Sequence, residues 1–339
     1  MKKIVVFKND AIGDTVHALP CIKEILNLHK DKKIFFLLSK RNKNIYSFLK
    51  NNNTERLVFN YNLNFYEKIK IIFFFIKNSI DKVYILAPKN MYYYLPIFFR
   101  KTKFYGICVN SADNKFRPPL FLRKYLHKKQ INDRRGYVNR QSIKRLQLNL
   151  INEQKINLEK LDIKIGKNDF NFVDKYILFH FKKSIFDKLN WDFNRVVDFM
   201  NLLSTKYHLV LTTDIEGNDY VDNFLKIFNV YNFNDKSYLN KDKNITYLHN
   251  FSGLAIFDLI GNSCLTIGIH GLFTNVSSYL DIPTIDLFYI ESRDPKDIKS
   301  ALDAAREFSP FNKTYFKVVP TEDYQKLKLK IKTFLKYAK

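Results

Sequence analysis

The sequence predicts an α/β fold of two doubly wound parallel sheets, one in each half of the chain, that face a common cleft. The first observation is that short apolar segments alternate with helix-length amphipathic segments from end to end. The second is that this alternation stops near residue 110 and starts again at Tyr176, after a polar linker. The third is the length of 339 residues, which is longer than most chains that fold around a single hydrophobic core.

The apolar segments of the first half predict strands at residues 4–7, 34–38, 57–59, 83–86 and 104–107. Between them, the apolar spacing predicts helices at residues 18–29, 44–51 and 66–78. A basic segment with Pro118 and Pro119 follows, then a helix at residues 142–150 and the polar linker at residues 157–174. We therefore expect a first domain at residues 1–165.

The second half repeats the pattern, with strands predicted at residues 176–181, 208–212, 230–233, 245–248, 265–269 and 284–288. Its predicted helices lie at residues 195–206, 218–228, 253–262 and 273–280. We expect this second domain at residues 166–320. Residues 321–339 predict a C-terminal helix with Thr321 as its N-cap, for which packing back on the first domain is an option.

The formal charge of +24 favours an anionic partner: nucleic acid, acidic lipid or a phosphorylated substrate. Lys, Asn, Ile, Phe and Tyr are abundant together, which is typical of an AT-rich genome, so the location of the charge matters more than its total. The excess is densest between Lys115 and Arg145, where Asp133 is the single acid. This segment suits an anionic lipid headgroup, a phosphorylated acceptor glycan or RNA.

The three scattered cysteines argue against a disulfide framework or a zinc site and for a reducing compartment. The sequence contains neither a signal peptide nor a spanning apolar run, so we expect a cytoplasmic protein. Residues 91–101 place aromatic side chains next to cations, as in a peripheral contact with the inner face of the cytoplasmic membrane. A core helix with a solvated end is the equal alternative.

Several motifs are absent from the sequence: a Walker loop, GxGxxG, a Gly-x-Ser-x-Gly elbow, and His or carboxylate pairs at metal-ligand spacing. Their absence argues against most nucleotide hydrolases, dehydrogenases and α/β hydrolases, and no metal site is expected.

Asp14 follows Gly13 after the first strand, at the sheet edge where open α/β folds bind ligands. We interpret it as a general base that takes a proton from an attacking hydroxyl. The alternative is a helix N-cap or first-turn acid. His17 lies one helical turn further on, and capping or packing is its alternative role. The candidates for acceptor contact are Gly13, His17, Arg117, Arg123 and Lys124.

A lysine-rich loop follows the first strand of the second half, at residues 180–191. Lysines and a hydroxyl on a strand-to-helix loop can hold a diphosphate, and the candidates are Lys183, Ser184 and Lys188. Trp191, the only tryptophan, is expected to pack this loop on the next helix.

A second strand-to-helix turn contains His270 and Gly271, and its helix begins with unpaired N–H groups that attract phosphate. An ordinary turn capped by Thr274 is the alternative. The candidates for donor binding here are His270, Gly271, Leu272, Thr274 and Asn275. Glu216, after another strand, is a candidate for hydrogen bonds with a nucleoside or for a first-turn acid.

These residues resemble three ordered motifs of glycosyltransferase family 9, the lipopolysaccharide heptosyltransferases. The opening turn and helix match at Ile12, Gly13, Asp14, His17, Leu19 and Pro20. The Lys-x-Trp-Pro loop is matched by Lys188 and Trp191, with one residue inserted and no proline. The third signature matches at Asp281, Pro283 and Thr284, but His270 replaces the acid of its Asp-Thr-Gly, which leaves the donor sugar open.

The resemblance implies the GT-B arrangement of two Rossmann-like domains, with the acceptor on the first and the nucleotide-sugar on the second. It implies an inverting, metal-independent transfer of a heptose or another hexose-like sugar to lipopolysaccharide or another cell-surface glycan. Asp14 would be the base, Lys188 and Ser184 would hold the diphosphate, and Glu216 would lie near the nucleoside. The donor, for which ADP-heptose is the family's example, is a substrate, and no cofactor is expected.

Two other classes stay open. A nucleic-acid-binding protein would use the basic segment, but no RNA-binding signature supports it, and no nucleic acid is expected as a partner. A nucleotide-sugar epimerase of similar architecture would need a second acid–base pair, which the sequence does not identify.

Overall fold

The computed structural model describes residues 2–110, 116–133, 143–151, 175–213, 220–251, 255–291, 294–308, 313–318 and 324–337. The chain divides into two compact units. One comprises Met1–Glu159 with Lys299–Phe308, and the other comprises Lys160–Ile298 with Ser309–Lys339.

The first unit alternates strands and helices in the order β1 (Lys3–Lys8), α1 (Ile12–Leu28), β2 (Lys33–Ser39), β3 (Thr54–Phe59), α2 (Phe65–Lys77), β4 (Ile80–Ile85), α3 (Leu95–Phe98), β5 (Lys103–Asn110), β6 (Phe116–Arg117), β7 (Lys128–Asp133) and α4 (Ile143–Leu150). Short 3-10 helices lie at Lys43–Phe48, Asn90–Tyr93 and Leu120–Tyr125. The first of these takes the place of the α-helix predicted at residues 44–51.

The sheet of the first unit has the strand order β3-β2-β1-β4-β5-β6, and β7 also pairs with β5. All pairs are parallel except β5 with β6. Ile4, Val5, Val6 and Phe7 of β1 are all buried, because helices cover both faces of a parallel sheet. The connections change direction between β1 and β4, which makes their carboxyl ends the switch point of this sheet.

The second unit contains β8 (Tyr176–Phe181), α5 (Lys183–Lys188), α6 (Phe193–Leu203), β9 (His208–Thr213), α7 (Val221–Ile227), β10 (Asn229–Asn232), β11 (Ser237–Leu239), β12 (Ile245–His249), α8 (Ala255–Gly261), β13 (Leu265–Ile269), α9 (Leu272–Tyr279), β14 (Thr284–Tyr289), α10 (Pro295–Phe308), β15 (Lys313–Val318) and α11 (Tyr324–Tyr337). The last ten residues of α10 are grouped with the first unit.

The second sheet has the order β11-β10-β12-β9-β8-β13-β14-β15, and only β10 with β11 is antiparallel. Its switch point lies between β8 and β13. The structure therefore confirms the predicted fold class of two doubly wound, mainly parallel sheets.

The C-terminal helix α11 packs within the second unit. Leu327, Ile331 and Leu335 are spaced four residues apart and belong to the core of this unit. The Trp191 ring meets the edge of Tyr324 with 4.7 Å between ring centroids. Lys328 Nζ lies 2.7 Å from Asp198 Oδ2 of α6. The Trp191 ring also lies 5.4 Å from the Phe199 ring of α6, so it packs its loop on the next helix as predicted, and the same ring contacts α11.

The aromatic run at residues 91–101 is mainly part of the core of the first unit. Tyr92, Tyr93 and Leu95 are buried in that core, and the Phe7 and Tyr92 rings stack at 3.9 Å. Phe98 at its end is exposed. The core alternative therefore describes most of this run.

Candidate functional site

A cavity of about 230 Å³ lies at the switch point of the first sheet. Its walls come from the end of β1 and the residues that follow it, from the residues after β3 and β4, from β5, β6 and β7 near their ends, and from the first residue of α4. The lining residues are Lys8, Asp10, Asp14, Tyr61, Leu86, Ala87, Pro88, Lys89, Val109, Arg117, Asn132 and Ile143. Asp14 and Arg117, predicted as base and acceptor contact, thus share one cavity. A carboxylate, Asp10, and a cation, Lys89, which the sequence did not predict, line the same cavity.

Asp14 lies in the first turn of α1, not in the preceding loop. The helix begins at Ile12, and its N-cap residue, Ala11, has no side chain that caps the first turn. Asp14 is exposed and lines the cavity, so it combines the first-turn position with the ligand-facing position. The positive end of the helix dipole stabilises negative charge at this position.

A buried polar cluster holds the loop between β1 and α1 in place. Lys8 Nζ lies 2.6 Å from Asp10 Oδ2, and both side chains are largely removed from solvent. Thr15 Oγ1 donates to Asp10 Oδ1 at 3.2 Å, and Asn42 Nδ2 donates to Thr15 Oγ1 at 2.6 Å. Because Asp10 is paired in this way, it anchors the loop while Asp14 faces the cavity.

Lys89 supplies a third cation to the cavity, besides Lys8 and Arg117. Its ammonium lies 4.1 Å from the centroid of the Tyr61 ring and donates to the Tyr61 carbonyl oxygen. Burial lowers the pKa of Lys89, and the charge of Asp10 opposes that shift. The Arg41 guanidinium lies 4.7 Å from the Tyr61 ring as well, so positive charge surrounds this aromatic wall.

The other predicted acceptor contacts do not line the cavity. Arg123 is buried, and its Nε and Nη2 atoms donate to the carbonyl oxygens of Pro118 and Val109 at 3.2 and 3.1 Å. It therefore stabilises Val109, which lines the cavity, without lining the cavity itself. Lys124 is exposed, with its ammonium 5.2 Å from the Tyr125 ring. Gly13 and His17 lie in α1 beside Asp14, and neither is among the lining residues.

The switch point of the second sheet brings two histidines together with the start of α9. His180, at the end of β8, stacks on Phe273 of α9 with ring centroids 3.9 Å apart. Its Nδ1 lies 3.0 Å from Thr212 Oγ1 of β9. His270 follows β13, so both histidines lie at the carboxyl edge of this sheet.

His270 contacts a fully buried carboxylate. Its Nδ1 lies 2.7 Å from Asp286 Oδ2 of β14, and Lys313 Nζ of β15 lies 2.8 Å from the same oxygen. Thr274 Oγ1 of α9 donates to it at 3.3 Å. Lys313 also donates to Asn275 Oδ1 at 2.9 Å. We call His270, Thr274, Asn275, Asp286 and Lys313 the buried network.

The charges of the buried network depend on one another. Burial raises the pKa of Asp286, but the hydrogen bond from His270 and the charge of Lys313 outweigh it and hold that pKa below its ordinary value. Burial lowers the pKa of Lys313, and Asp286 opposes that shift. An ionised pair is therefore the state that this geometry favours.

The turn before α9 presents backbone groups beside the buried network. Gly271 is the N-cap of α9, and its N–H donates to Thr274 Oγ1 at 3.2 Å. Thr274 and Asn275 are buried, so these two predicted donor contacts hold the turn from inside. His270, Gly271 and Leu272 remain partly exposed at the start of the helix.

The predicted lysine loop forms the short helix α5, which begins at Lys183. Lys183 Nζ pairs with Asp187 Oδ2 at 2.8 Å, and Lys188 Nζ pairs with Glu291 Oε1 at 2.5 Å. The hydrogen bond with Glu291 raises the pKa of Lys188. Ser184 is exposed on the same helix. Glu216, the predicted nucleoside contact, lies outside the described residues.

Four residues at these two sites were not predicted from the sequence: Asp10, Lys89, Asp286 and Lys313. A signal existed for Asp286, because it is the one charged residue within the apolar segment predicted at residues 284–288. Lys313 had no such signal, since it is one lysine among many and its partner is remote in sequence.

Among the residues that the structure describes, no group of three or more His, Cys, Asp or Glu side chains is placed to hold a metal ion. No helix in the described ranges has both the length and the apolar character needed to cross a bilayer.

No protein-family model matches the chain, and no curated protein matches it significantly in sequence. Solved structures do. The E. coli ADP-heptose LPS heptosyltransferase II has a TM-score of 0.66 at 12% identity, with 100% of both chains covered. A family 9 glycosyltransferase from Veillonella parvula has a TM-score of 0.65 at 13% identity, covering 100% of this chain and 90% of that one.

A UDP-GlcNAc 2-epimerase from Methanocaldococcus jannaschii is less similar, with a TM-score of 0.51 at 16% identity and coverage of 98% and 92%. At these identities, the similarity establishes the fold alone. The chain has the two-domain α/β fold of the GT-B glycosyltransferases, and the predicted resemblance to glycosyltransferase family 9 is confirmed at the level of the fold.

Proposed function

We propose that this protein is a glycosyltransferase that uses a nucleotide-sugar donor. The observation that carries the proposal is that Asp14 shares one cavity with Arg117 and Lys89, at the switch point where doubly wound sheets bind ligands. Lys8 and Asp10 of the same cavity pair with each other, which leaves the Asp14 carboxylate beside the cations of Arg117 and Lys89. This combination suits a hydroxyl nucleophile on an anionic molecule. The fold shared with family 9 transferases supports the same reaction class.

The acceptor is an anionic glycan or glycolipid held in this cavity, as in lipopolysaccharide or another cell-surface glycan. Arg117 and Lys89 bind its phosphate or carboxylate groups, since Arg matches such groups with two parallel hydrogen bonds. Asp14 accepts a hydrogen bond from the reacting hydroxyl. Gly13 and His17 lie next to Asp14 and are secondary contacts.

The donor is held by the second unit, at its switch point. The N–H groups at the start of α9 and the imidazole of His270 bind the diphosphate, and Lys183, Ser184 and Lys188 complete the site. Glu216 contacts the nucleoside. The heptosyltransferase II of E. coli takes its name from ADP-heptose, and we propose a heptose or a related hexose-like sugar here.

The transfer is inverting and needs no metal ion. The acceptor oxygen attacks the anomeric carbon, its proton passes to Asp14, and the bond from that carbon to the diphosphate oxygen breaks. The departing nucleoside diphosphate keeps the electron pair, and the positive groups around His270 and Lys188 stabilise its charge. No cofactor takes part. We place this chemistry in the cytoplasm, at the inner face of the cytoplasmic membrane, where the acceptor is anchored.

The test is Asp14→Asn, which keeps the shape of the side chain and removes the base. Loss of a general base lowers kcat by about 10²–10⁴-fold, and donor affinity stays unchanged because the donor binds the other unit. Asp31→Asn, at an exposed acid of the same unit, is the matched control. Full transfer activity in Asp14→Asn would contradict the role as base.

An epimerase is the second candidate, because a UDP-GlcNAc 2-epimerase shares the fold. It predicts conversion of a nucleotide-sugar without any acceptor. Incubation of the protein with nucleotide-sugars alone, followed by separation of the sugar epimers, distinguishes the two: a transferase leaves the donor sugar unchanged.

A further inference from the structure

Helix α2 exposes an unusually apolar outer face. Ile71 and Phe75 point into the core of the first unit, as expected for a helix that covers a sheet. On the opposite side, Phe65, Ile76 and Phe73 are 77%, 65% and 56% exposed. Tyr66 and Ile72 are exposed as well. At 100° per residue these five side chains occupy one continuous arc of the helix, with Ile69 inside it.

Lysines border this arc on both sides. Lys68 lies on one edge, and Lys70 and Lys77 lie on the other; all three are exposed. The Lys70 ammonium is 4.6 Å from the centroid of the Tyr66 ring. We call the arc and its lysines the α2 face.

The one acid of α2 is turned away from this face. Glu67 accepts hydrogen bonds from the backbone N–H groups of Asn60 at 2.7 Å and Asn64 at 3.0 Å. It therefore serves the capping box at the start of the helix. The α2 face presents apolar and positive groups without a carboxylate of its own helix.

The end of the aromatic run at residues 91–101 adds further apolar and positive side chains near α2. Phe98 is exposed, and Arg100 and Lys101, which follow it, are exposed too. Phe99, between them, places its ring 5.2 Å from the Phe75 ring of α2. An aromatic side chain with two cations thus lies next to this helix.

We propose that the α2 face docks the protein on an anionic lipid bilayer. An apolar stripe with lysines on both margins is the composition of a helix that lies in the membrane interface: the apolar side chains enter the acyl boundary and the lysines meet acidic headgroups. Charge complementarity selects the lipid surface over a second copy of the chain. Two such faces brought together would oppose lysine with lysine.

This surface also lies close to the candidate acceptor cavity. Tyr61 lines the cavity and precedes the first residue of α2 by four positions, and the Glu67–Asn60 hydrogen bond ties the helix to that loop. This step rests on the proposed function: a lipid-anchored acceptor would reach the cavity from a membrane bound along α2.

The experiment is sedimentation of the full chain with vesicles of phosphatidylcholine alone or mixed two to one with phosphatidylglycerol. The double variant Phe73→Ser, Ile76→Ser is expected to weaken binding to the mixed vesicles about tenfold or more, because two apolar side chains that would enter the bilayer are lost. The double variant Lys70→Glu, Lys77→Glu is expected to weaken it at least about twentyfold, since each lysine near an acidic surface contributes about fivefold.

The matched controls are Leu329→Ser and Lys326→Glu on α11, another basic helix with an exposed leucine. They should bind like the unmodified protein. Equal loss in these controls, or binding that depends on Lys70 and Lys77 but not on Phe73 and Ile76, would overturn the proposal. A dimer that dissociates when Phe73 and Ile76 are replaced would overturn it as well. No donor or acceptor is present, so failure here is separate from failure of the transferase assignment.

Discussion

His270 Nδ1 lies 2.7 Å from Asp286 Oδ2 in the second unit. The imidazole is partly exposed, and the carboxylate is in the interior. The contact uses Nδ1 of His270, and Nε2 is the atom that we propose binds the donor at the start of α9. Asp286 is fully buried and is also paired with Lys313. It therefore acts as a positioning residue that orients His270. The position where the resemblance led us to expect an acid thus has a histidine backed by a buried acid.

We predict that Asp286→Asn weakens donor binding about tenfold, because one charged hydrogen-bond partner of His270 is lost. Isothermal calorimetry with a nucleoside diphosphate gives the affinity, and His270→Ala should show a loss at least as large. Asp222→Asn, at an exposed acid of the same unit, serves as the control. If His270→Ala binds normally while Asp286→Asn does not, Asp286 supports the fold and not the donor site.

The three basic residues that the sequence predicts as acceptor contacts should differ in their effects on acceptor KM and on thermal stability. Arg117→Ala is expected to raise the acceptor KM about tenfold or more, since a charged hydrogen-bond partner in the cavity is lost. Lys124→Ala should leave KM unchanged, because Lys124 does not line the cavity. Arg123→Ala should lower thermal stability, because the carbonyl oxygens of Pro118 and Val109 lose their donor. A Lys124→Ala effect equal to that of Arg117→Ala would contradict the cavity as the acceptor site.

The stability of the first unit should fall in mild acid because of His29. Its Nε2 lies 2.9 Å from the Tyr84 hydroxyl, and burial together with the charges of Lys82 and Lys32 lowers its pKa to about 4. The unfolded chain takes up this proton near pH 6.5 and the folded chain only near pH 4, so stability is lost as pH falls between these values. At about 1.4 kcal/mol per pKa unit, the upper limit of this loss is about 3 kcal/mol.

Urea unfolding between pH 7 and pH 4 measures this loss. His29→Gln should flatten the dependence on pH, and His127→Gln, at an exposed histidine, should not. A profile of His29→Gln that matches the unmodified protein would exclude His29 as the cause.

Most strands of the two sheets could be predicted from the local pattern of apolar residues. Ile4, Val5, Val6 and Phe7 form an unbroken apolar run, which a strand buried on both faces requires, and the same reasoning located β8 and β13. It failed at residues 44–51, where a short 3-10 helix replaces the predicted α-helix. The same pattern could not predict where α11 packs. Leu327 and Ile331 indicate that one side of the helix is buried, but not which surface buries it.

By itself, the sequence determined that the chain forms two doubly wound sheets and that Asp14, His270 and Gly271 follow strands at the carboxyl edges of these sheets. Apolar periodicity and turn residues are properties of short segments, so they can be recognised in each segment without knowledge of the rest of the fold. Only the tertiary structure decided that Asp14 shares a cavity with Lys89 and Arg117, and that Asp286 and Lys313 stand behind His270. Those contacts join strands far apart in the chain, and burial and charge pairing at such distances depend on the order of strands in the sheet.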